Sequence, residues 1–129
     1  MKIGTIAKAV GCHVETVRYY EKEGLLPAAT RAANGYSDFS EIHLQLLKLI
    51  RHSKDLGFSQ HQIRELVRLA RSQDNTCEDV HQITLTQLDV VVEKLRGLRK
   101  IQNVLKKLSL ACEQNKHADC PVLEQLSGD

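Results

Sequence analysis

Val14-Glu15-Thr16-Val17-Arg18-Tyr19-Tyr20-Glu21-Lys22-Glu23-Gly24-Leu25-Leu26 is the stretch whose reading decides the fold. Val14, Val17 and Tyr20 recur at the spacing of one helix face, which predicts a short helix from about Val14 to Glu23. Gly24 ends it, and Leu25-Leu26-Pro27 leads the chain away. Just upstream, Ile3, Ile6, Ala7 and Val10 fall on one face of a helix over residues 3–10, and Gly11 breaks it. Helix, tight Gly-containing turn, helix is the helix-turn-helix arrangement. Arg18 and Tyr19 sit on the second helix, where a recognition helix meets DNA.

Working downstream, Arg31-Ala32-Ala33-Asn34-Gly35-Tyr36 carries an Asn-Gly pair. Both residues tolerate positive φ, so residues 28–38 read as a two-stranded wing. Ser40 caps the next helix and Glu41 favours its first turn. Ile42, Leu46, Leu47, Leu49 and Ile50 form its apolar face, to about Asp55. After Leu56-Gly57-Phe58, Ser59 caps a further helix with Gln62 as capping-box partner. Ile63, Leu66, Val67 and Ala70 are its expected buried stripe, and residues 72–76 read as a polar linker.

From about Glu78 to Ala111 there is no Pro and a single Gly, Gly97. Read as one helix, this segment is about 51 Å long. Leu88, Val91, Leu95, Leu98 and Leu105 fall on a heptad seam, interrupted by Gln102, and Ile101, Val104 and Leu108 widen it. A domain of some 75 residues cannot cover so long a stripe. The simplest partner is a second copy, and the spacing alone leaves parallel and antiparallel pairing open. Residues 112–120 read as a polar loop bracketed by two cysteines, and Pro121 suits the first turn of a short helix reaching Leu126. The expected organisation is a DNA-binding domain over residues 1–75, a dimerisation helix over 76–111 and a metal-binding loop with a short helix over 112–129.

Composition agrees. The 129 residues are 42% hydrophobic and 26% charged, which is the balance of a folded chain and not a disordered one. Seven Gly, two Pro and no Trp favour helices over a β-sandwich. Residues 1–76 carry a net charge of +3 and residues 77–129 a net −1, which permits nucleic-acid binding by the first half. All five aromatics lie there too. No apolar run approaches the roughly 18 residues of a membrane span. Met1-Lys2-Ile3-Gly4 has no signal-peptide core. The expectation is a cytoplasmic protein. Paired carboxylates, a nucleophile triad or an open catalytic metal site are not readable, so an enzyme is not expected.

Ile3-Gly4-x-Ile6-Ala7-Lys8, Val14 to Leu26, and Arg31-x-x-Asn34-Gly35-Tyr36 together resemble the MerR family of transcriptional regulators. The resemblance covers nearly the whole chain. It implies a mainly α fold: a winged helix-turn-helix, a long antiparallel coiled-coil dimerisation helix and a C-terminal metal-binding loop. It places Thr16, Val17, Arg18 and Tyr19 at the groove and backbone of promoter DNA, with Arg31 and Tyr36 in the wing. Arginines neutralise phosphates and tyrosine hydroxyls donate to them. Tyr20 reads as core. Where the family usually has Arg and Tyr after the Gly-Tyr pair, this chain has Ser37 and Phe39. That predicts weaker or redistributed wing contacts.

Four cysteines remain: Cys12, Cys77, Cys112 and Cys120. A reducing compartment makes disulfides unexpected. Cys12, in the helix-turn-helix turn, reads as a small core residue. Cys112 and Cys120 can close on a soft ion such as Zn, Cd, Pb, Hg or Cu(I). Cys77 lies about 50 Å away along the helix and cannot reach them within one chain. In an antiparallel dimer it approaches Cys112 and Cys120 of the other subunit. The resemblance sharpens this, because a Cys at the position of Cys77 accompanies divalent or mercuric sensing and a Ser accompanies copper, silver or gold. The seven-residue loop spacing looks more like the copper type, and His117 sits where the zinc type has a ligand, although a solvated loop histidine is the plainer reading. With three thiolates, Cd or Pb is favoured, with Zn and Hg close. The expected protein is a homodimeric activator of a metal-resistance or efflux promoter, working with RNA polymerase by distorting DNA. The alternatives are a monovalent-metal sensor of the same family and a metal-buffering dimer with no DNA role.

Overall fold

The computed structural model describes residues 1–73, 77–114 and 120–128. In order along the chain come α1 (Ile3–Val10), α2 (Val14–Lys22), β1 (Thr30–Arg31), β2 (Ser37–Asp38), α3 (Glu41–Asp55), α4 (Gln60–Arg71), α5 (Cys77–Gln114) and α6 (Pro121–Ser127). Two units are distinguished, Met1–Leu85 and Thr86–Asp129, and the division falls inside α5.

The first unit is organised by short apolar stripes that each need a neighbour. Ile6 and Ala7 of α1, Val17 and Tyr20 of α2, Leu46, Leu47 and Ile50 of α3, and Ile63 and Val67 of α4 bury together with Leu25, Leu26 and Phe39. Full burial of such side chains stabilises by about 1.5–3 kcal/mol each, before chain entropy is subtracted. The turn between α1 and α2 depends on Gly11 at φ 78. The Cys12 amide donates to the Ala7 carbonyl and the Gly11 amide to that of Lys8, which satisfies the open end of α1.

The wing is a two-residue antiparallel pair, Thr30 opposite Asp38 and Arg31 opposite Ser37. Its tip is not the turn anticipated from Asn34-Gly35. Only Gly35 has positive φ, at 83°. Asn34 stays in the ordinary region and its side-chain oxygen accepts the Tyr36 N–H at 3.1 Å. The Gly35 amide donates to Ala32 and the Ala32 amide to Tyr36, a turn followed by one left-handed glycine.

The apolar faces of α3 and α4 differ from expectation at four positions. Ile42 is exposed and His43 is buried in its stead. The Ser40 N–H donates to His43 Nδ1 at 3.0 Å, so Nε2 carries the ring proton and donates to the Pro27 carbonyl at 3.1 Å. His43 thus takes the place that Glu or Gln holds in a capping box. On α4, Leu69 is buried and Ala70 is exposed. The Ser59–Gln62 capping box forms in both directions, at 2.8 and 3.1 Å.

Helix α5 begins at Cys77 and extends past Ala111 to Gln114. Ala111, Cys112, Glu113 and Gln114 include no breaker, and Ala, Glu and Gln favour continued helix. Cys112 is therefore in the last turn of the helix, not in a loop. Residues 115–119, with His117, lie outside the described residues, as do 74–76 of the expected linker. Among the described residues, no helix is long and apolar enough to cross a membrane.

Candidate nucleic-acid interface and thiol groups

On α2, spacing and capping sort side chains into scaffold and surface. Val17 is fully buried at 0% exposure, so its side chain leaves the set of expected DNA contacts and serves the core. The reason is the helix period: Val17 lies one turn from Tyr20 on the face buried in the shared core. Tyr20 is core as expected, with the Lys54 ammonium 5.6 Å from its ring centre. Thr16 is half-buried, and Arg18 and Tyr19 are exposed. Arg18 Nη1 is 3.0 Å from Glu15 Oε1, one turn back. Such an exposed pair is worth about 0–1 kcal/mol, so a phosphate can displace the carboxylate.

The wing is held against this helix by Glu21, whose Oε2 accepts the Ala29 N–H at 2.8 Å. His43 fixes the same linker at Pro27. Arg31 is exposed, but its guanidinium turns back onto the Gly35 carbonyl at 3.4 Å. Tyr36 is 67% exposed at the wing tip, with the Lys2 ammonium 6.0 Å from its ring centre. Phe39 is core and meets His43 edge-on, at 5.3 Å between ring centres. Its ring is spent on packing, so the wing's surface chemistry rests on Arg31, Tyr36 and Ser37. Arg64 of α4 donates to the Glu23 carbonyl at 2.9 Å and closes the C-terminal end of α2.

Glu21, His43 and Arg64 were not singled out from the sequence. The signal for His43 was present, as a hydrogen-bonding residue three positions after the capping Ser40. Glu21 and Arg64 act across eight and 41 residues, and local pattern does not reveal such partners.

The thiols separate by environment. Cys12 packs against the core, and burial pushes its thiol above the ordinary range while Arg51 pulls it slightly back. Cys77 opens α5 and is exposed, Cys112 is exposed in the last turn, and Cys120 is half-buried at the N-cap of α6. Thirty-five positions of continuous helix separate Cys77 from Cys112, a rise of about 52 Å. Among the described residues, no three His, Cys, Asp or Glu side chains gather as a metal-binding group within one chain. Cys77, Cys112 and Cys120 supply soft sulfur donors, the type preferred by heavy divalent ions and by Cu(I).

The family model described as MerR HTH family regulatory protein matches residues 1–70. A second, described as MerR, DNA binding, matches residues 44–108. The HTH-type transcriptional regulator HmrR of Rhizobium leguminosarum bv. viciae is 36% identical over 127 residues, 98% of each chain. The solved structure of the transcription regulator PbrR691 from Ralstonia metallidurans CH34, in complex with lead(II), matches with TM-score 0.80 and 32% identity over 98% of both chains. That of MerR from Bacillus megaterium MB1, in complex with mercury(II), matches with TM-score 0.78 and 28% identity, over 99% of this chain and 100% of that one. With its helix-turn-helix, wing and long helix in place and both family models matched, the chain belongs to the MerR family of transcriptional regulators, which bind DNA and are not enzymes.

Proposed function

We propose that two copies pair antiparallel through α5 and act as a metal-responsive activator of a metal-resistance promoter. The ion is a soft divalent heavy metal, with Cd or Pb favoured and Zn or Hg next. The carrying observation is the pairing of two facts about α5. Its thiols at Cys77 and Cys112 stand about 52 Å apart in one chain. Leu88, Val91, Leu95, Leu98 and Leu105 between them are all exposed. A second copy laid antiparallel covers that stripe and brings Cys77 of one subunit toward Cys112 and Cys120 of the other. The complexes of PbrR691 with lead(II) and of Bacillus megaterium MerR with mercury(II) support a heavy-metal ligand.

Each subunit's first 75 or so residues then meet one half-site through Thr16, Arg18, Tyr19, Arg31 and Tyr36. Metal draws the C-terminal segment onto the partner's helix, which changes the separation of the two DNA-binding faces. Because dimer geometry sets half-site spacing, bound DNA distorts. The distortion realigns promoter elements for RNA polymerase.

Titration of the reduced protein with Cd, Pb, Zn, Hg and Cu(I), followed by thiolate charge-transfer absorption, tests the reading. Cys77→Ser should still dimerise and bind DNA but lose tight divalent binding, by more than the roughly 10–100-fold that a lost supporting partner costs. Thiols lose protons when they ligate, so affinity should fall as pH drops from neutral to mildly acid. Tight Cu(I) binding with Cys77 irrelevant would instead select the monovalent reading suggested by the Cys112–Cys120 spacing. Metal binding without any mobility shift of duplex DNA would select a buffering dimer.

A further inference from the structure

A cleft of about 880 Å³ opens between α1, α2 and the wing. Lys2, Lys8, Arg18, Glu21, Tyr36 and Ser37 line it. Three cations, Lys2 at the N-cap of α1, Lys8 within it and Arg18 on α2, thus face one carboxylate, and that carboxylate already accepts the Ala29 N–H. Arg31, the cation that the wing motif brings forward, is not among the lining residues, and its guanidinium is folded onto Gly35 within the wing. The ammonium beside the wing tyrosine is that of Lys2, 6.0 Å from the Tyr36 ring centre. Lys2 is placed there by backbone. It is the N-cap residue of α1, and the neighbouring Met1 carbonyl accepts the Phe39 N–H at 2.7 Å as the chain leaves the wing.

We infer that Lys2 is a further DNA-contacting residue, seated on Tyr36 so that its ammonium meets a backbone phosphate entering this cleft beside Arg18 and Lys8. The inference rests on the DNA-binding reading of this face. The occupant is a phosphodiester strand because the lining brings three cations from three parts of the chain against a single carboxylate and is open to solvent. A cation resting on an aromatic face keeps its charge and is held in place for an anion. Gly4 and Gly35 leave open space at the two walls, where an added Cβ meets nothing within 4 Å. The wing's cationic reach is thereby supplied from the N-cap of α1, beside β2, which offers Ser37 and an Asp38 carboxylate already paired with the N-terminal ammonium at 2.7 Å.

Phosphate contacts are independent of sequence, so the probe is a fluorescein-labelled mixed-sequence 30-base-pair duplex, titrated at several salt concentrations. Lys2→Gln should lower the slope of log affinity against log salt by about 0.9 and weaken binding several-fold at low salt. Lys2→Arg should restore both. Tyr36→Leu, with Lys2 intact, should weaken binding while changing the slope less than Lys2→Gln does, since the charge remains but its seat is gone. Thermal melting by circular dichroism checks that each variant is folded. A folded Lys2→Gln protein with the wild-type slope and affinity would overturn the inference. A wild-type protein with no affinity for the duplex would overturn the DNA reading itself, a distinguishable failure.

Discussion

The segment before α5 and α5 itself use the same apolar residues to opposite ends. In the first unit Leu25, Leu26, Leu46 and Leu47 all disappear into a shared core. On α5, Leu88, Leu95, Leu98 and Leu105 stand exposed, Leu98 at 61%. Nothing in the residues themselves differs. Four short helices at successive turns can close on one another, because each stripe is two or three turns long and finds a neighbour within reach. Along a single helix of 38 residues, about 57 Å, the described apolar side chains from Leu88 to Leu105 stay exposed. The first unit is an argument for folding, and the long helix is an argument for a partner.

The sharpest way to break this contrast is at the helix. Leu95→Asp combined with Leu98→Asp should convert a dimer to a monomer in sedimentation equilibrium, with the helix-turn-helix unit still folded by circular dichroism. A double variant that remained dimeric would place the pairing surface elsewhere. Next comes a matched pair of truncations. Leu47→Ala, at a fully buried site, should cost about 2–5 kcal/mol in urea unfolding, whatever the protein concentration. Leu95→Ala should instead lower the melting temperature in a concentration-dependent way, because its burial needs a second chain. Equal behaviour of the two would dissolve the distinction.

A smaller effect is expected at the DNA face. Arg18→Ala should reduce the salt slope of duplex binding by about 1 if its guanidinium exchanges Glu15 for a phosphate. An unchanged slope would leave Arg18 as a helix-surface ion pair. The smallest effect concerns the thiols. Burial holds Cys12 in the thiol form to higher pH, so iodoacetamide near pH 8 should label Cys77 and Cys112 before Cys12. The sign for stability follows from the same shift. The Cys12 contribution is present below its ordinary value and is lost as pH rises through the raised folded-state value. Labelling of Cys12 at the rate of Cys77 would show that the turn does not shield it.

Much of the chain was legible without coordinates, for reasons tied to particular residues. The faces Ile3-Ile6-Ala7-Val10 and Val14-Val17-Tyr20 were readable because helical period is a local property. So were the Ser59–Gln62 capping box and the long breaker-free run after Cys77. Errors arose where two local signals competed. Hydrophobicity alone points Ile42 to the core, yet His43 lies one position further round the helix and has a carbonyl at Pro27 to meet. Ala70 and Leu69 exchanged places because neighbouring positions on a helix differ by about 100° and the stripe fits either on paper. The Asn-Gly pair suggests positive φ at Asn34, but a side-chain hydrogen bond to the Tyr36 N–H shapes the turn without it.

For the candidate sites the boundary falls in a similar place. That Arg18 and Tyr19 lie on the second short helix, that Arg31 and Tyr36 lie in a short hairpin, and that Cys77 stands a helix length from Cys112, follow from spacing and residue chemistry. Those are one-dimensional facts, carried by regular rise and turn. That Val17 is withdrawn into the core, that Arg31 folds onto Gly35, and that Lys2 stands beside Tyr36 were decided only in three dimensions. Each depends on which segments, 34 residues apart in the case of Lys2 and Tyr36, the shared core brings into contact. Sequence period cannot report that, because the burial that draws remote segments together is non-directional and acts through the whole core at once.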